Sequence, residues 1–306
     1  MEKQKIALVL GAGGARGIAH IGIIEEFLRR GYEITSVAGT SMGALVAGAF
    51  AAGHLETFKQ WISQLDRRKI FSLMDFSLRG DGLINGTRFL NHMKKLIPDV
   101  RIDKLPIHFT AIAADWISGR EVVMDSGMMY DAIHASIAIP ALCCPVAVGD
   151  QLLIDGGVVN PLPVNRVHRT EGDVLVAIHA CAGFSEPYEK RVKYSRNFYK
   201  LLISSSQIFQ QSIARLTLQQ CPPDLFIKLE ADTYGIFEML RAKEIIEYGR
   251  TIAGKALDEF EEKLRRKQAG EDLSREEYAF TGDYGMSSDF RKSKPNEDLS
   301  SEEQTA

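Results

Sequence analysis

Three short stretches hold residues whose types and spacing could carry out chemistry. The sharpest is Gly39-Thr40-Ser41-Met42-Gly43, set between an apolar run, Ile34–Ala38, and an alanine-rich helical stretch. A serine on a tight strand–turn–helix corner projects its hydroxyl beyond the sheet, and glycines on both sides, Gly39 and Gly43, let the chain turn there. At a helix start, free backbone N–H groups and the helix dipole favour the negative charge that develops during attack on a carbonyl. Ser41 is therefore the candidate nucleophile, ahead of a purely structural elbow.

The second stretch is Gly11-Ala12-Gly13-Gly14-Ala15-Arg16-Gly17, directly after the apolar run Ile6–Leu10. Residues with little side chain let backbone N–H groups close on an anion, and a helix starting near Gly17 adds its dipole. That anion is either a dinucleotide pyrophosphate or a transient oxyanion. The fingerprint G-x-G-x-x-G fails by one residue in either frame, because Arg16 or Ala12 occupies a required glycine. The next strand also ends without the acid that a ribose would need. An oxyanion hole is the favoured reading. Arg16 either adds a positive charge to it or solvates the helix terminus.

The third stretch is Ile154-Asp155-Gly156-Gly157, where two glycines, Gly156 and Gly157, turn the chain sharply after the acid. Such a turn is common in hairpins. Ser41 needs a base, however, and Asp155 has a more constrained backbone than its competitors Asp115 and Asp125. A histidine could serve instead, since His168 and His179 follow Asp155 in the chain order of α/β-hydrolases. That fold places its serine after several strands, whereas only two strand candidates precede or adjoin Ser41. His179 ends an apolar run as a packed strand residue would, and His20 falls one turn into the first helix, near the glycine loop. No histidine pair has ligand spacing with carboxylates, so neither a metal nor another cofactor is expected.

The elements that position these stretches follow from hydrophobic periodicity. Strands are expected at Ile6–Leu10, Ile34–Ala38, His108–Ala113, Glu121–Met124, Leu152–Ile154, Val174–Ile178 and Leu225–Lys228. Helices are expected at Gly17–Arg30, Met42–Ala52, Leu55–Leu65, Arg88–Leu96, near Ser195–Gln220, and at Met239–Lys267. This alternation implies an α/β fold, three layers with helices on both faces of a central, mostly parallel sheet. One domain is expected over residues 1–268, because no linker or repeat interrupts it. Residues 269–306 read as a disordered acidic tail, with ten Asp or Glu against four Arg or Lys. The aromatic stretches Phe71–Phe76 and Phe198–Phe209 are candidates for a pocket wall or for core.

Composition removes other classes. The chain has 306 residues, 45% hydrophobic and 25% charged, which excludes collagen-like and disulfide-scaffold proteins. Its four cysteines include no C-x-x-C pair, which favours a reduced cytoplasmic setting. The apolar run at the N-terminus is too short for a signal-peptide core. The whole chain carries a net charge of −3 and the tail −6, leaving the body +3. That mild excess suits peripheral contact with a membrane surface, although ordinary surface charge is the simpler account. No basic stretch is interleaved with aromatics, so no nucleic acid partner is expected.

The ordered set of motifs resembles the patatin-like phospholipase family, in its bacterial branch related to neuropathy-target-esterase-like proteins. The glycine loop with Arg16, G-T-S-M-G at Ser41 and D-G-G at Asp155 carry the resemblance. Gly82-Leu83-Ile84 with Thr87-Arg88, the strand ending in Asp115, Ala135-Ser136-Ile137-Ala138-Ile139-Pro140 and Asn160-Pro161-Leu162-Pro163-Val164 extend it over residues 5–180. The resemblance implies a Ser41–Asp155 dyad without histidine, an oxyanion hole at Gly13 and Gly14, and metal-independent hydrolysis of lipid acyl esters through an acyl-enzyme. Ala12 departs from the pattern, where many members have glycine; its N–H is expected to stay free, with positive φ excluded. Two rivals remain from other classes: a lipid-binding regulator of the same fold with little turnover, and a nucleotide-binding oxidoreductase.

Overall fold

The computed structural model describes residues 4–77, 82–183, 198–230 and 233–271. The chain divides into two units, Met1–Glu261 and Glu262–Ala306. The expected tail lies outside the described residues from position 272 onward.

The first unit begins with strand β1 (Lys5–Leu10), helix α1 (Ala19–Arg29), β2 (Glu33–Thr40) and α2 (Met42–Ala51). Helices α3 (Leu55–Ile62), α4 (Arg67–Leu73) and α5 (Thr87–Leu96) follow, then β3 (His108–Asp115), β4 (Glu121–Met124) and α6 (Met129–Ser136). Strands β5 (Val146–Val148), β6 (Gln151–Asp155) and β7 (Val174–Ala182) precede α7 (Phe198–Gln220), β8 (Leu225–Glu230) and α8 (Ala242–Gln268). Among the described residues the strands form one eight-stranded sheet in the order β5-β6-β3-β2-β1-β7-β8, with β4 also paired to β3. Pairs within β3-β2-β1-β7-β8 are parallel, while β4 and β6 run antiparallel to β3, and β5 to β6. The three-layer α/β/α architecture is thus present.

Strand β1 is buried from Ile6 to Leu10, so its sequence shows a continuous apolar run rather than alternation. Helix α2 is apolar all round and almost wholly buried; its alanines and glycines let it lie close against β2 and β3. Helix α8 buries Ala242, Ile245, Ile246, Gly249, Ala253 and Leu257, spaced as a helical stripe. The enclosed Glu26 accepts from Arg29 and Arg30, and Arg30 continues to Asp258 and Glu261, tying α1 to α8. Among the described residues no helix is long and apolar enough to cross a membrane.

Of the helices and strands named above, α4, α6 and β5 lie outside the expected set. Helix α4 has 7 residues and β5 has 3, too few for a period to emerge. Helix α6 starts after Met128, with no polar residue capping it through a side chain.

Candidate active site

Strand β2 ends at Thr40 and α2 starts at Met42, which leaves the whole reversal to Ser41. Its φ is 59° and its ψ −125°, a region that a side-chain-bearing residue occupies only when neighbours hold it there. Ser41 N–H donates to Ser136 Oγ at 2.9 Å, and Ser41 C=O accepts from Leu45 N–H at 3.1 Å. Thr40 Oγ1 donates to the Asn160 carbonyl at 2.8 Å. A Cβ at Gly43 would stand 2.0 Å from the Leu10 carbonyl oxygen, and one at Gly39 2.5 Å from Ala44 N. Neither position has room for a side chain.

Asp155 arrives from the opposite direction. Thr40 pairs with Ile112 in the parallel β2–β3 ladder, and Asp155 pairs with Ala113 in the antiparallel β3–β6 ladder. Strands β2 and β6 therefore end beside consecutive residues of β3, which brings Ser41, the residue after β2, next to Asp155, the last residue of β6. Ser41 Oγ donates to Asp155 Oδ2 at 2.6 Å. Asp155 Oδ1 accepts from Gly157 N–H at 2.7 Å, while Asp155 N–H donates to the Ala138 carbonyl at 2.9 Å. A Cβ at Gly156 would lie 2.3 Å from the Ile112 carbonyl oxygen, so the turn keeps its glycine there. The Ser41 and Asp155 side chains are both buried. Burial pushes the Asp155 carboxyl up to about 6, against the Ser41 and Gly157 hydrogen bonds that pull it down.

The glycine loop is pinned on both sides of a gap. Gly11 N–H donates to the Ile178 carbonyl at 2.9 Å, Ala12 N–H to Pro161 at 2.8 Å and Ala15 N–H to Ile236 at 2.9 Å. Among the described residues the N–H groups of Gly13 and Gly14 have no protein partner. Gly14 has φ +58°, and with Ser41 it borders the same cavity. The expectation that Ala12 keeps a free N–H is corrected: Pro161 takes it, and alanine fits because φ at Ala12 is not positive. Arg16 is buried rather than solvated; Nε donates to the Tyr234 carbonyl at 2.6 Å and a terminal nitrogen to Cys181 Sγ at 3.2 Å. Those bonds tether the loop to β7 and to the segment before α8.

Histidines stand apart from the pair. Besides Ser41 and Gly157, the Asp155 carboxylate has no hydrogen-bond partner among the described residues. His20 shares a 2.9 Å hydrogen bond with the Gly11 carbonyl, and burial holds its imidazole near 4. His179 is buried in β7, also held down to about 4 by burial. His168 is exposed, its ring stacked on His108 with centroids 4.2 Å apart. Asp115 accepts from Ser118 Oγ at 2.6 Å in a turn of its own, and Asp125 is exposed.

Beside Ser41 and Gly14 opens a cavity of about 220 Å³. Met42 and Leu45 of α2, Trp61 of α3, Ile70 and Leu73 of α4, Phe89 of α5 and Ile137 after α6 are part of its wall. Its polar members are few; His134 shares a 3.0 Å hydrogen bond with the Asn85 carbonyl. Of the stretch Phe71–Phe76, Leu73 and Met74 face the cavity, as does Ile70 just before it, whereas Phe71 and Phe76 are turned outward. Phe209 is exposed on α7, and the side chain of Phe198 lies outside the described residues. Sequence reasoning missed Ser136, although its motif was visible, because nothing in it signals a bond to a backbone N–H 95 residues away.

Residues 8–168 match the family model described as patatin-like phospholipase, more than half of the chain. The chain belongs to the patatin-like phospholipase family. It is 37% identical over 222 residues to an NTE family protein of Mycobacterium tuberculosis, a match covering 72% of this chain and 61% of that protein. It is 27% identical over 186 residues to lysophospholipase NTE1 of Scheffersomyces stipitis, covering 58% of this chain and 12% of that one. The chain thus spans 61% of the length of the first of these relatives. Among solved structures, VipD from Legionella pneumophila aligns with a TM-score of 0.47 at 14% identity, covering 85% of this chain and 67% of that chain.

Proposed function

We propose that the chain hydrolyses acyl esters of lipids, with Ser41 as nucleophile, Asp155 as its base and an acyl-enzyme between the two half-reactions. One observation carries the reading: a serine hydroxyl on a strained corner donates at 2.6 Å to a buried carboxylate, at the edge of an apolar cavity. Family membership and the lysophospholipase name of the yeast relative support a lipid ester as substrate.

Ser41 Oγ attacks the ester carbonyl as its proton passes to Asp155 Oδ2. The charge that forms on the carbonyl oxygen falls to the unpartnered N–H groups of Gly13 and Gly14, where losing one donor costs about 3–4 kcal/mol in comparable sites. Arg16 acts on this hole indirectly, by holding the loop. The Asp155 proton then moves to the leaving alcohol, and the acyl chain stays on Ser41 with its tail in the cavity. Water, deprotonated by Asp155, frees the fatty acid and restores the hydroxyl. A carboxyl near 6 is a better base than an ordinary aspartate, yet ionised at neutral pH.

A fluorophosphonate probe with a panel of lipid esters tests this. The probe should label the parent but not Ser41→Ala, and fatty acid should appear only with the parent. Lipid binding by folded protein without labelling or release would replace this reading with that of a regulator.

A further inference from the structure

We propose that the face formed by Arg67, Arg68, Phe71, Phe76, Leu83 and Arg88 docks the protein on an anionic lipid bilayer. Helix α4 has two working sides. Ile70, Leu73 and Met74, three and four residues apart, line the cavity. Arg67 and Arg68 stand four and three residues before Phe71, so these three share another side, and all are exposed. Phe71 is 67% exposed, Phe76 58% and Leu83 52%. The Phe71 and Phe76 rings lie 6.1 Å apart, and Ser77 N–H donates to the Leu83 carbonyl at 2.9 Å, which brings the Leu83 main chain beside the residue that follows Phe76. Arg88 reaches the end of α4, donating to the Met74 carbonyl at 3.2 Å.

Single exposed apolar side chains need no explanation; a contiguous patch against the outer wall of an apolar cavity does. Among the described residues of α4 and the turns beside it, the two acids are engaged elsewhere. Asp66 caps α4 by accepting from Lys69 N–H, and Asp75 accepts from the N–H groups of Gly86, Thr87 and Arg88 at the start of α5. What remains is aromatic and aliphatic surface ringed by arginines. Phenylalanine and leucine side chains enter the headgroup–acyl boundary of a bilayer, and arginines meet lipid phosphates and the negative surface. A second copy of the chain, packed patch to patch about a twofold axis, would oppose the same arginines, which disfavours self-association. Docked this way, the outer side of α4 rests on lipid while its inner side walls the cavity.

The proposal rests on the reading of that cavity as the acyl site, but its test needs no turnover. Full-length Ser41→Ala protein is sedimented with phosphatidylcholine vesicles with and without phosphatidylglycerol. Binding should require phosphatidylglycerol, weaken with salt, and fall about fivefold for each of Arg67→Ser and Arg68→Ser. Phe71→Ser with Phe76→Ser should lower it about tenfold or more. In a Ser41 background the same variants should keep the parent's melting temperature and its activity on soluble esters. No binding by the parent, or binding equal to the parent's by the two arginine variants and the phenylalanine double variant, would overturn the proposal. A parent dimer that the phenylalanine changes dissociate would overturn it in favour of a second copy. Vesicle binding without fatty acid release leaves docking standing and removes the hydrolase reading; release from soluble esters without vesicle binding does the reverse.

Discussion

Around Ser41 the site is held by main-chain atoms, and around the adjoining cavity by apolar side chains. At Ser41, two ladders fix where β2 and β6 end, Gly39 and Gly43 admit no Cβ, and the glycine loop is pinned by three backbone hydrogen bonds. In the cavity, wall residues such as Leu45, Leu73 and Phe89 touch the space through aliphatic or aromatic groups. Backbone placement is exact and intolerant, which suits bond making; apolar packing adapts, which suits a substrate tail of variable length. The comparison predicts abrupt losses from changes on the first side and graded shifts in preference from changes on the second.

The largest effect is expected for Ser41→Ala. Activity on soluble esters should fall by about 10⁴ or more with the melting temperature nearly unchanged. Residual activity within tenfold of the parent would break the comparison at its centre. Asp155→Asn should lower activity almost as far, and adding it to Ser41→Ala should change nothing more, because the pair acts as a unit. Its stability should move the other way. Burial raises the carboxyl from 3.8 to about 6, so the folded state holds the proton more tightly than the unfolded chain. The cost of the buried charge is absent below about pH 4, develops as pH rises to about 6 and is full above it, at about 2–3 kcal/mol. Asp155→Asn should therefore melt above the parent near about pH 8 and lose that advantage near about pH 4. Parent activity should rise with pH through about 6, as the base ionises. Equal melting of the two proteins at both pH values would contradict the burial argument.

A smaller loss is expected for Ser136→Ala. That hydroxyl accepts the Ser41 N–H, and without it a buried donor is left unmatched beside a residue with φ of 59°. kcat should drop about tenfold to a hundredfold with KM almost constant, because a displaced nucleophile affects attack rather than binding. A change confined to KM would show that Ser136 serves the substrate instead of the corner.

The same contrast governs what the sequence makes legible. Ser41, Asp155 and the glycine loop stand out because backbone geometry demands particular residue types there, and glycine leaves a visible mark. Most strands were legible for a related reason: β1 and β7 are buried on both faces and read as unbroken apolar runs. The meeting of β2 and β6 on β3 was not, since an antiparallel pairing across more than 40 residues leaves no local period. Nor could Ala12 N–H be assigned, because its acceptor, Pro161, comes from a distant loop. The cavity was least legible. Within α4 the aromatic Phe71 faces out and the plain Ile70 and Leu73 face in, and over 7 residues either assignment fits the pattern.

Leu73→Trp tests the adaptable side, with the smallest expected effect. Leu73 is partly buried on α4 and borders the cavity, so a larger ring there fills part of that space. Each methylene that finds no apolar contact forfeits about 1 kcal/mol of transition-state binding, so crowding should act on long acyl chains before short ones. The ratio of kcat/KM for a dodecanoyl over a butanoyl p-nitrophenyl ester should fall about tenfold, with butanoyl hydrolysis within about twofold of the parent. Because α4 is short and half exposed, the added volume can be relieved outward, and a melting-temperature shift of no more than a few degrees is expected. If both esters lose activity equally, the wall and the nucleophile are mechanically coupled, and the division between a fixed corner and an adaptable cavity fails. If only the long chain suffers, the cavity holds the acyl tail and Leu73 limits its length.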